Sequence, residues 1–395
     1  MRILLIVDPY KIRGHWRTPI WIVQKYVEMV SELEGSLRQS IKIFCSQHIA
    51  RHLIEQGADA ELFTTLSRSQ ERADFNEARN EWDERDVRRW EDHMRGRARS
   101  SDVMLRHIDE LRQDFDFEGI VYWGTNLALQ HYCLEQGIPV LFSELGPLRP
   151  PYGFLGALDS FGVNGHGFPA RVTLADIIKQ EDHLFEFQDE EIGTQRSKTV
   201  LAALQNMDDS NLLIHRGEMS YDDFILSSVS LLANAGHKVL VCPHPGAYRY
   251  RYTYVHQCQL LSTLAVIPGV SIQKPFVTAE IMPSVDVVVA YNSSVAFEAL
   301  CLGKPIVLGG AASFAPKGLS LSVKESIRPV KILRENLAQY LDFMARYYVK
   351  FDELFALPRV TSELQFWSSL NGLENAQVID AIASKEVTKS FEVSV

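Results

Sequence analysis

The sequence predicts an α/β protein: two Rossmann-like, doubly wound domains facing each other across a cleft, followed by C-terminal helices. Three observations carry this. Short apolar, β-branched runs end abruptly in polar loops and are followed by amphipathic helical stretches, the pattern of parallel strands wound with helices. That alternation runs through the chain twice, with an irregular Gly- and Pro-rich stretch between the two series. The length, 395 residues, is too great for one ordinary domain and comfortable for two.

In the first series RILLIV (2–7) reads as a buried strand because it is short, β-branched and stops at Asp8. The polar loop DPYKIRGHWRTP then leads into a helix from about Ile20. Further strands are expected at IKIFCS (41–46), ELF (61–63), IVYWG (120–124) and PVLFSE (139–144). Residues 71–100 break the pattern with nine acidic and eight basic side chains around Trp82 and Trp90, and read as a solvated, salt-bridged helical hairpin or as an acceptor- or partner-binding arm. The second series has strands expected at NLLIH (211–215), KVLVCPHP (238–245), GVSIQ (269–273), VDVVVAYNSS (285–294) and KPIVLGG (304–310). The expected domains are therefore 1–200, with the charged helical insertion at about 66–115, then 201–335. Helices over 336–395 are expected to cross back to the first domain.

Charge and composition narrow the function. A formal net charge of −10 argues against a surface that tracks nucleic acid phosphates. Cys45, Cys133, Cys242, Cys258 and Cys301 are scattered and form no CxxC pair, which suits reduced thiols in a cytoplasm rather than a zinc site. No apolar run reaches 18 residues, so neither a signal sequence nor a membrane span is expected. There is no GxGxxG or P-loop. Asp114-Phe115-Asp116 is a formal DxD, but it precedes a strand rather than following one and reads as a helix-end charge cluster, so no metal is expected.

Chemistry is expected at the carboxyl ends of the strands, where ligands bind in open α/β sheets. The strand at 285–291 ends in Asn292, Ser293 and Ser294, and a helix begins at once. A serine there would cap the helix, and hydroxyls with backbone N–H groups at a helix start suit a phosphate. Glu298 follows one turn later, as a site residue or a simple capping or surface carboxylate. The strand at 238–242 ends in Pro243-His244-Pro245, and two prolines would hold the imidazole at the strand tip, where it can offset charge on a departing phosphate. Arg249 and Arg251 lie just beyond and suit a phosphate or a sugar carboxylate. Glu144 follows an apolar strand and precedes a Gly-Pro loop, a placement open both to acid–base chemistry and to pairing with Arg149. Asn164, between Val163 and Gly165, is either a substrate contact or the holder of a turn.

His-Pro after one strand, then Ser-Ser with a downstream Glu-Ala and Gly-Lys-Pro, resembles the nucleotide-binding half of the bacterial capsular-polysaccharide β-Kdo transferases and their lipopolysaccharide relatives; GT-B sialyltransferases carry a similar His-Pro and Ser pair. The segment SELGPLRPPYGFLGALDSFGVNGHG (143–167) is similar to the Glu-x-Gly segment and Gly-Val-Asn turn of the same family. The resemblance covers about residues 140–310. It implies a GT-B glycosyltransferase that moves Kdo, or a related 2-keto sugar acid, from a CMP-activated donor to a saccharide acceptor of a surface polysaccharide, retaining the β configuration. CMP-sugar is then a substrate, and no cofactor is implied. His244 with Pro245, and Asn292, Ser293, Ser294 and Glu298, would hold the donor nucleotide. Glu144 would face the reacting sugar, and Arg249, Arg251 and Asn164 would contact substrate.

The family also shows a glutamine and then an aspartate shortly after the first strand of its second half. After NLLIH this chain has Arg216 to Asp222 instead, which makes Glu218 the first candidate for the second carboxylate and Asp222 the alternative. Competing expectations are a transferase or epimerase that takes a UDP or GDP sugar, and a non-catalytic sugar-nucleotide-binding module of a larger synthase. The partners implied are a nucleotide sugar and a glycan acceptor, at a cytoplasmic location, with peripheral association at the inner membrane or with other glycan-assembly enzymes left open.

Overall fold

The structure, a computed structural model, describes residues 1–11, 17–72, 74–75, 82–150, 153–179, 184–187, 197–275 and 278–387. The chain divides into two compact units, one of residues 1–145, 156–163 and 351–372, the other of residues 146–155, 164–350 and 373–395. Residue 200, the boundary expected from sequence, lies inside the second unit, and 351–372 is the part of the tail that returns to the first.

The first unit is built on strands β1 (Ile3–Ile6), β2 (Ile41–Phe44), β3 (Phe63–Thr64), β4 (Gly119–Trp123), β5 (Val140–Leu145) and β6 (Leu155–Asp159), which lie side by side as β6-β5-β4-β1-β2-β3. All neighbours are parallel except β5 and β6. The parallel order 3-2-1-4-5 is that of a Rossmann half, with its topological switch between β1 and β4. β1 is buried at every position, as its unbroken apolar run requires. Trp367, on the returning helix Leu357–Ser369, donates its indole N–H to the Leu158 carbonyl at 2.9 Å.

The charged segment does more than solvate itself. Ion pairs such as Arg88–Glu84 and Arg97–Asp92 lie on an outer face, but Trp82, Trp90, His93 and Met94 are buried. Trp90 stacks on His93 with ring centroids 5.3 Å apart. His93, from the helix Glu84–Met94, reaches the switch point of the sheet, where its Nε2 meets Asp8 Oδ1 at 2.9 Å and its Nδ1 meets Ser100 Oγ at 3.0 Å. The Tyr122 hydroxyl donates to the other Asp8 oxygen, and Asn126 Nδ2 lies 3.3 Å from His93 Nε2. Burial and the Asp8 charge push the Tyr122 phenol well above its ordinary pKa, so it stays a donor. The crevice at the end of β1 is thus filled by a satisfied polar network that ties the insertion to the sheet. His93→Leu, which leaves Asp8 and Ser100 short of partners, is expected to cost roughly 2–4 kcal/mol in urea denaturation.

The second unit carries a small antiparallel pair, β7 (Phe185–Phe187) with β13 (Val330–Ile332), and a fully parallel sheet. The sheet strands are β8 (Thr199–Ala203), β9 (Lys238–Cys242), β10 (Val270–Ile272), β11 (Val287–Ala290) and β12 (Ile306–Leu308), ordered β10-β9-β8-β11-β12. This is the same winding order, with the switch between β8 and β11. One element differs from the sequence expectation. Residues 211–215 do not form the first strand; Ser210–Ile214 is a short helix, started by the Asp209 carboxylate accepting from the Asn211 N–H at 2.9 Å. A three-residue apolar run fits either structure, and the cap decides. The first strand of the parallel sheet is β8, upstream of that helix. Asp116 closes the helix Arg99–Phe115 in a left-handed conformation (φ 45°), so the formal DxD sits at a helix end. No described helix is long and apolar enough to cross a membrane.

Candidate functional site

The carboxyl edge of the second sheet is assembled from β8, β9 and β11. β8 lies between the other two, so the His244 and Ser293 motifs come from strands that flank it rather than from neighbouring ones. The residues just after β8 are therefore central. Gln205 binds the β11 side twice: its Nε2 donates to Asn292 Oδ1 at 2.8 Å, and its Oε1 accepts from the Asn292 N–H at 3.0 Å. Asn292 in turn donates through Nδ2 to the Asn211 and His215 carbonyls at 2.9 and 3.3 Å. Asn292 is a buried strut whose polar atoms are used within the protein. Asn206, the next residue after Gln205, faces the β9 side. A Cβ built on Gly246 would sit 2.9 Å from Asn206 Nδ2 and 3.0 Å from the His244 ring, so this glycine lets carboxamide and imidazole crowd the same spot.

His244 is half-buried with extended backbone, as a residue before proline must be, and Pro245 opens a 3₁₀ turn, Pro245–Arg249. Its backbone N–H donates to Gln257 Oε1 at 2.8 Å. Its Nδ1 accepts from the Gly246 N–H at 3.0 Å, which puts the proton of the neutral ring on Nε2 and makes that nitrogen the donor. Arg249 and Arg251 are exposed beyond this turn.

Ser293 and Ser294 are half-buried where β11 passes into the helix Val295–Cys301. The expected side-chain cap is absent on Ser294, the N-cap residue, because its backbone is already helical (φ −56°, ψ −24°). Only a long contact of 3.4 Å joins Ser293 Oγ to the Val295 N–H. Glu298, one turn on, is neither a capping-box partner nor a surface carboxylate: it is 8% exposed, and burial pushes its pKa up to about 7 against the opposing pull of Arg149.

The other carboxylates separate. Asp222 is committed to His256 Nε2 at 2.9 Å, a link between the helices Tyr221–Asn234 and Arg251–Ala265. Glu218 is exposed in a shallow groove with Met219, Ser220 and Asp223. Its loop is pinned: the Tyr291 hydroxyl accepts from the Gly217 N–H at 2.9 Å and donates to the Met219 carbonyl at 2.7 Å, while Gly217 packs directly on the Gly309 backbone. Glu144, in the first unit, lies near the carboxyl end of β5 opposite Ala157, half-buried, with Oε1 accepting from the Leu145 N–H at 2.8 Å. Asn164 holds a left-handed turn (φ 57°) that lays Gly165 and His166 on the His215 ring, the two imidazoles 4.5 Å apart.

A glutamine and an aspartate also follow β8, the first strand of the parallel sheet, at Gln205 and Asp208. Asp208 is 3% exposed, whereas Asp209 is used as the helix cap. Among the described residues no group of three or more His, Cys, Asp or Glu side chains is arranged to hold a metal ion.

Glu298 makes the stability of this unit depend on pH. Its carboxyl holds a proton in the folded chain that the unfolded chain releases between pH 4.5 and 7, so the stability that proton gives is full below pH 4.5 and lost as the pH rises through 7. Relative to wild type, Glu298→Gln should gain about 3 kcal/mol across that window in denaturation series, with no further change above it. Gly217→Ala places a Cβ on the Gly309 carbonyl oxygen and should lower Tm by several degrees.

Comparison with known proteins adds family information. Residues 170–351 match the family model described as capsule polysaccharide biosynthesis protein, and residues 58–167 match the N-terminal domain of the glycosyltransferase 99 family. No curated protein matches the chain significantly. Among solved structures the chain is similar to a Thermosulfurimonas dismutans KpsC β-Kdo 2,7 transferase, at 17% identity and TM-score 0.39 over 60% of this chain and 79% of that one. A KpsC β-Kdo 2,4 transferase from the same organism matches at 19% identity and TM-score 0.36 over 57% and 79%. A UDP-GlcNAc 2-epimerase from Neisseria meningitidis matches at 12% identity and TM-score 0.28 over 97% of each chain. Likenesses this distant say nothing about donor or acceptor. The two domain matches fall on the two Rossmann-like units and mark the chain as similar to capsule-related glycosyltransferases.

Proposed function

We propose that the enzyme transfers Kdo, or a related 2-keto sugar acid, from a CMP-activated donor to a saccharide acceptor, and that the donor nucleotide binds at the β8–β11 switch of the second unit. The observation that carries this reading is the Gln205-Asn206 pair, which joins the His244 side of the sheet edge to the Asn292-Ser293-Ser294 side. Further support comes from the contrast between the two crevices, since the one in the first unit is filled by His93 and Tyr122.

In this reading His244 Nε2 and the Ser293 and Ser294 hydroxyls donate to the single phosphate of CMP and stabilise charge as it leaves. Glu298, buried near the same helix start with its pKa pushed up to about 7, can donate to the nucleotide when protonated as well as accept from it when ionised. Asn292 supports the site without touching the donor. Asp208 replaces Glu218 and Asp222 as the carboxylate of this unit. For retention, a carboxylate oxygen of Asp208 attacks the anomeric carbon as the bond from that carbon to the phosphate oxygen breaks and CMP departs. The acceptor hydroxyl then displaces Asp208 from the anomeric carbon, giving its proton to a base. Arg249, Arg251 and Asn164 are left at the periphery of this scheme. A DxD or metal has no part in it, because one phosphate requires no chelation.

Calorimetric titration of the purified enzyme with CMP, UDP and GDP should show CMP binding at least tenfold tighter than either diphosphate; the reverse order would replace the donor assignment. With CMP-Kdo and a panel of glycan acceptors, Asp208→Asn and His244→Ala should each lower kcat by a hundredfold or more. Glu218→Gln should stay within a few-fold of wild type, and a large loss there would return the role to Glu218.

A further inference from the structure

One enclosed polar group at the second sheet edge has no part in the scheme above. Asn206 is 8% exposed, yet its carboxamide makes no hydrogen bond with any described residue, and its Oδ1 is fully enclosed. A second carboxamide oxygen in the same stretch, Asn211 Oδ1, is likewise enclosed without a donor. Enclosed polar groups are nearly always paired in folded proteins, because an unpaired one forfeits its hydration without return. When such a group stands at a sheet switch point, the missing partner is sought in a ligand. The surroundings say which kind. Asn206 lies across Gly246 from the His244 ring, and its neighbour Gln205 is fixed on Asn292, so the carboxamide is held beside the imidazole on the β9 side of the candidate donor site. An oxygen acceptor is of no use to a phosphate dianion, which has no hydrogen to give. It suits the part of a nucleotide that carries O–H or N–H groups.

We propose that Asn206 is a specificity residue of the donor site, its carboxamide oxygen accepting a hydrogen bond from a hydroxyl or amino group of the bound nucleotide. The inference rests on the donor-site reading above. It separates two jobs at one sheet edge: His244 and the serines take the charge, and Asn206 reads the nucleoside. Gly246 makes this possible, since any side chain there would push between imidazole and carboxamide. The arrangement also sets a sign for stability. A structural asparagine is missed when removed, whereas an unpaired one is not, and replacing it by an apolar side chain leaves the ligand-free fold as stable or more so.

The test uses the full chain, with Asn206→Ala and the space-filling Asn206→Leu, and calorimetric titration with CMP, 2′-deoxy-CMP, UMP and inorganic phosphate. The expected result is a ten- to hundredfold loss of CMP affinity in both variants, unchanged affinity for inorganic phosphate, and a ligand-free Tm at or above that of wild type. If the donor group is a ribose 2′-hydroxyl, 2′-deoxy-CMP binds wild type and variant alike; if it is the base amino group, UMP does. CMP binding that survives both substitutions overturns the proposal, as does a Tm that falls in step with the lost affinity, or failure of both variants to fold. If wild type binds none of the nucleotides, the donor-site reading fails instead, a result distinct from the others.

Discussion

The second unit depends on the double hydrogen bond between Gln205 and Asn292. It spans the crevice between β8 and β11, where the winding of the sheet reverses. By engaging both the side chain and the backbone of Asn292, Gln205 fixes where β11 ends and so where Ser293 and Ser294 begin. Asn292 passes the constraint on to the Asn211 and His215 carbonyls, which holds the short capped helix against the same edge. A buried network of this kind is stable only when every member is satisfied, and these amides satisfy one another. Asn206, next to a residue that is fully paired, stands out for that reason.

The two sheets share a winding order and differ in what fills the switch point. In the first unit Asp8 leaves β1 and meets Tyr122 from β4 and His93 from the charged insertion, and the crevice closes around a hydrogen-bonded network. In the second, small and amide side chains line the crevice, and glycines at 217, 246, 309 and 310 let backbones approach closely. The same topology therefore yields one crevice closed by a polar network and one that, in the proposed donor site, keeps polar groups for a ligand. The difference lies in side-chain volume and satisfaction rather than in fold.

Much of this is legible in the sequence. Nine of the ten strand expectations fall on or overlap strands, because buried parallel strands are short, β-branched and sharply bounded. The His-Pro and Ser-Ser motifs are readable as strand-end features, and the structure puts both at one sheet edge. The segment 211–215 is a helix where a strand is expected, because LLI is too short for periodicity to declare itself and the Asp209 cap decides the matter. With β8 starting the parallel sheet, Gln205 and Asp208 rather than Glu218 and Asp222 are the glutamine and carboxylate that directly follow its first strand. The charged hairpin is half legible: its ion pairs follow from spacing, but the burial of Trp90 and His93 depends on a strand more than eighty residues away.

The sequence by itself determined which segments become strands and helices, and which strand ends carry an imidazole, hydroxyls or a carboxylate, since these follow from local periodicity and capping. Only the tertiary structure decided that β8 would stand between the two motif-bearing strands, that Asn292 would be consumed as a strut, that Asp222 would pair with His256, and that Glu298 and Asn206 would be shut away from water. Strand order and burial are set by the packing of distant segments, and no spacing along the chain encodes them.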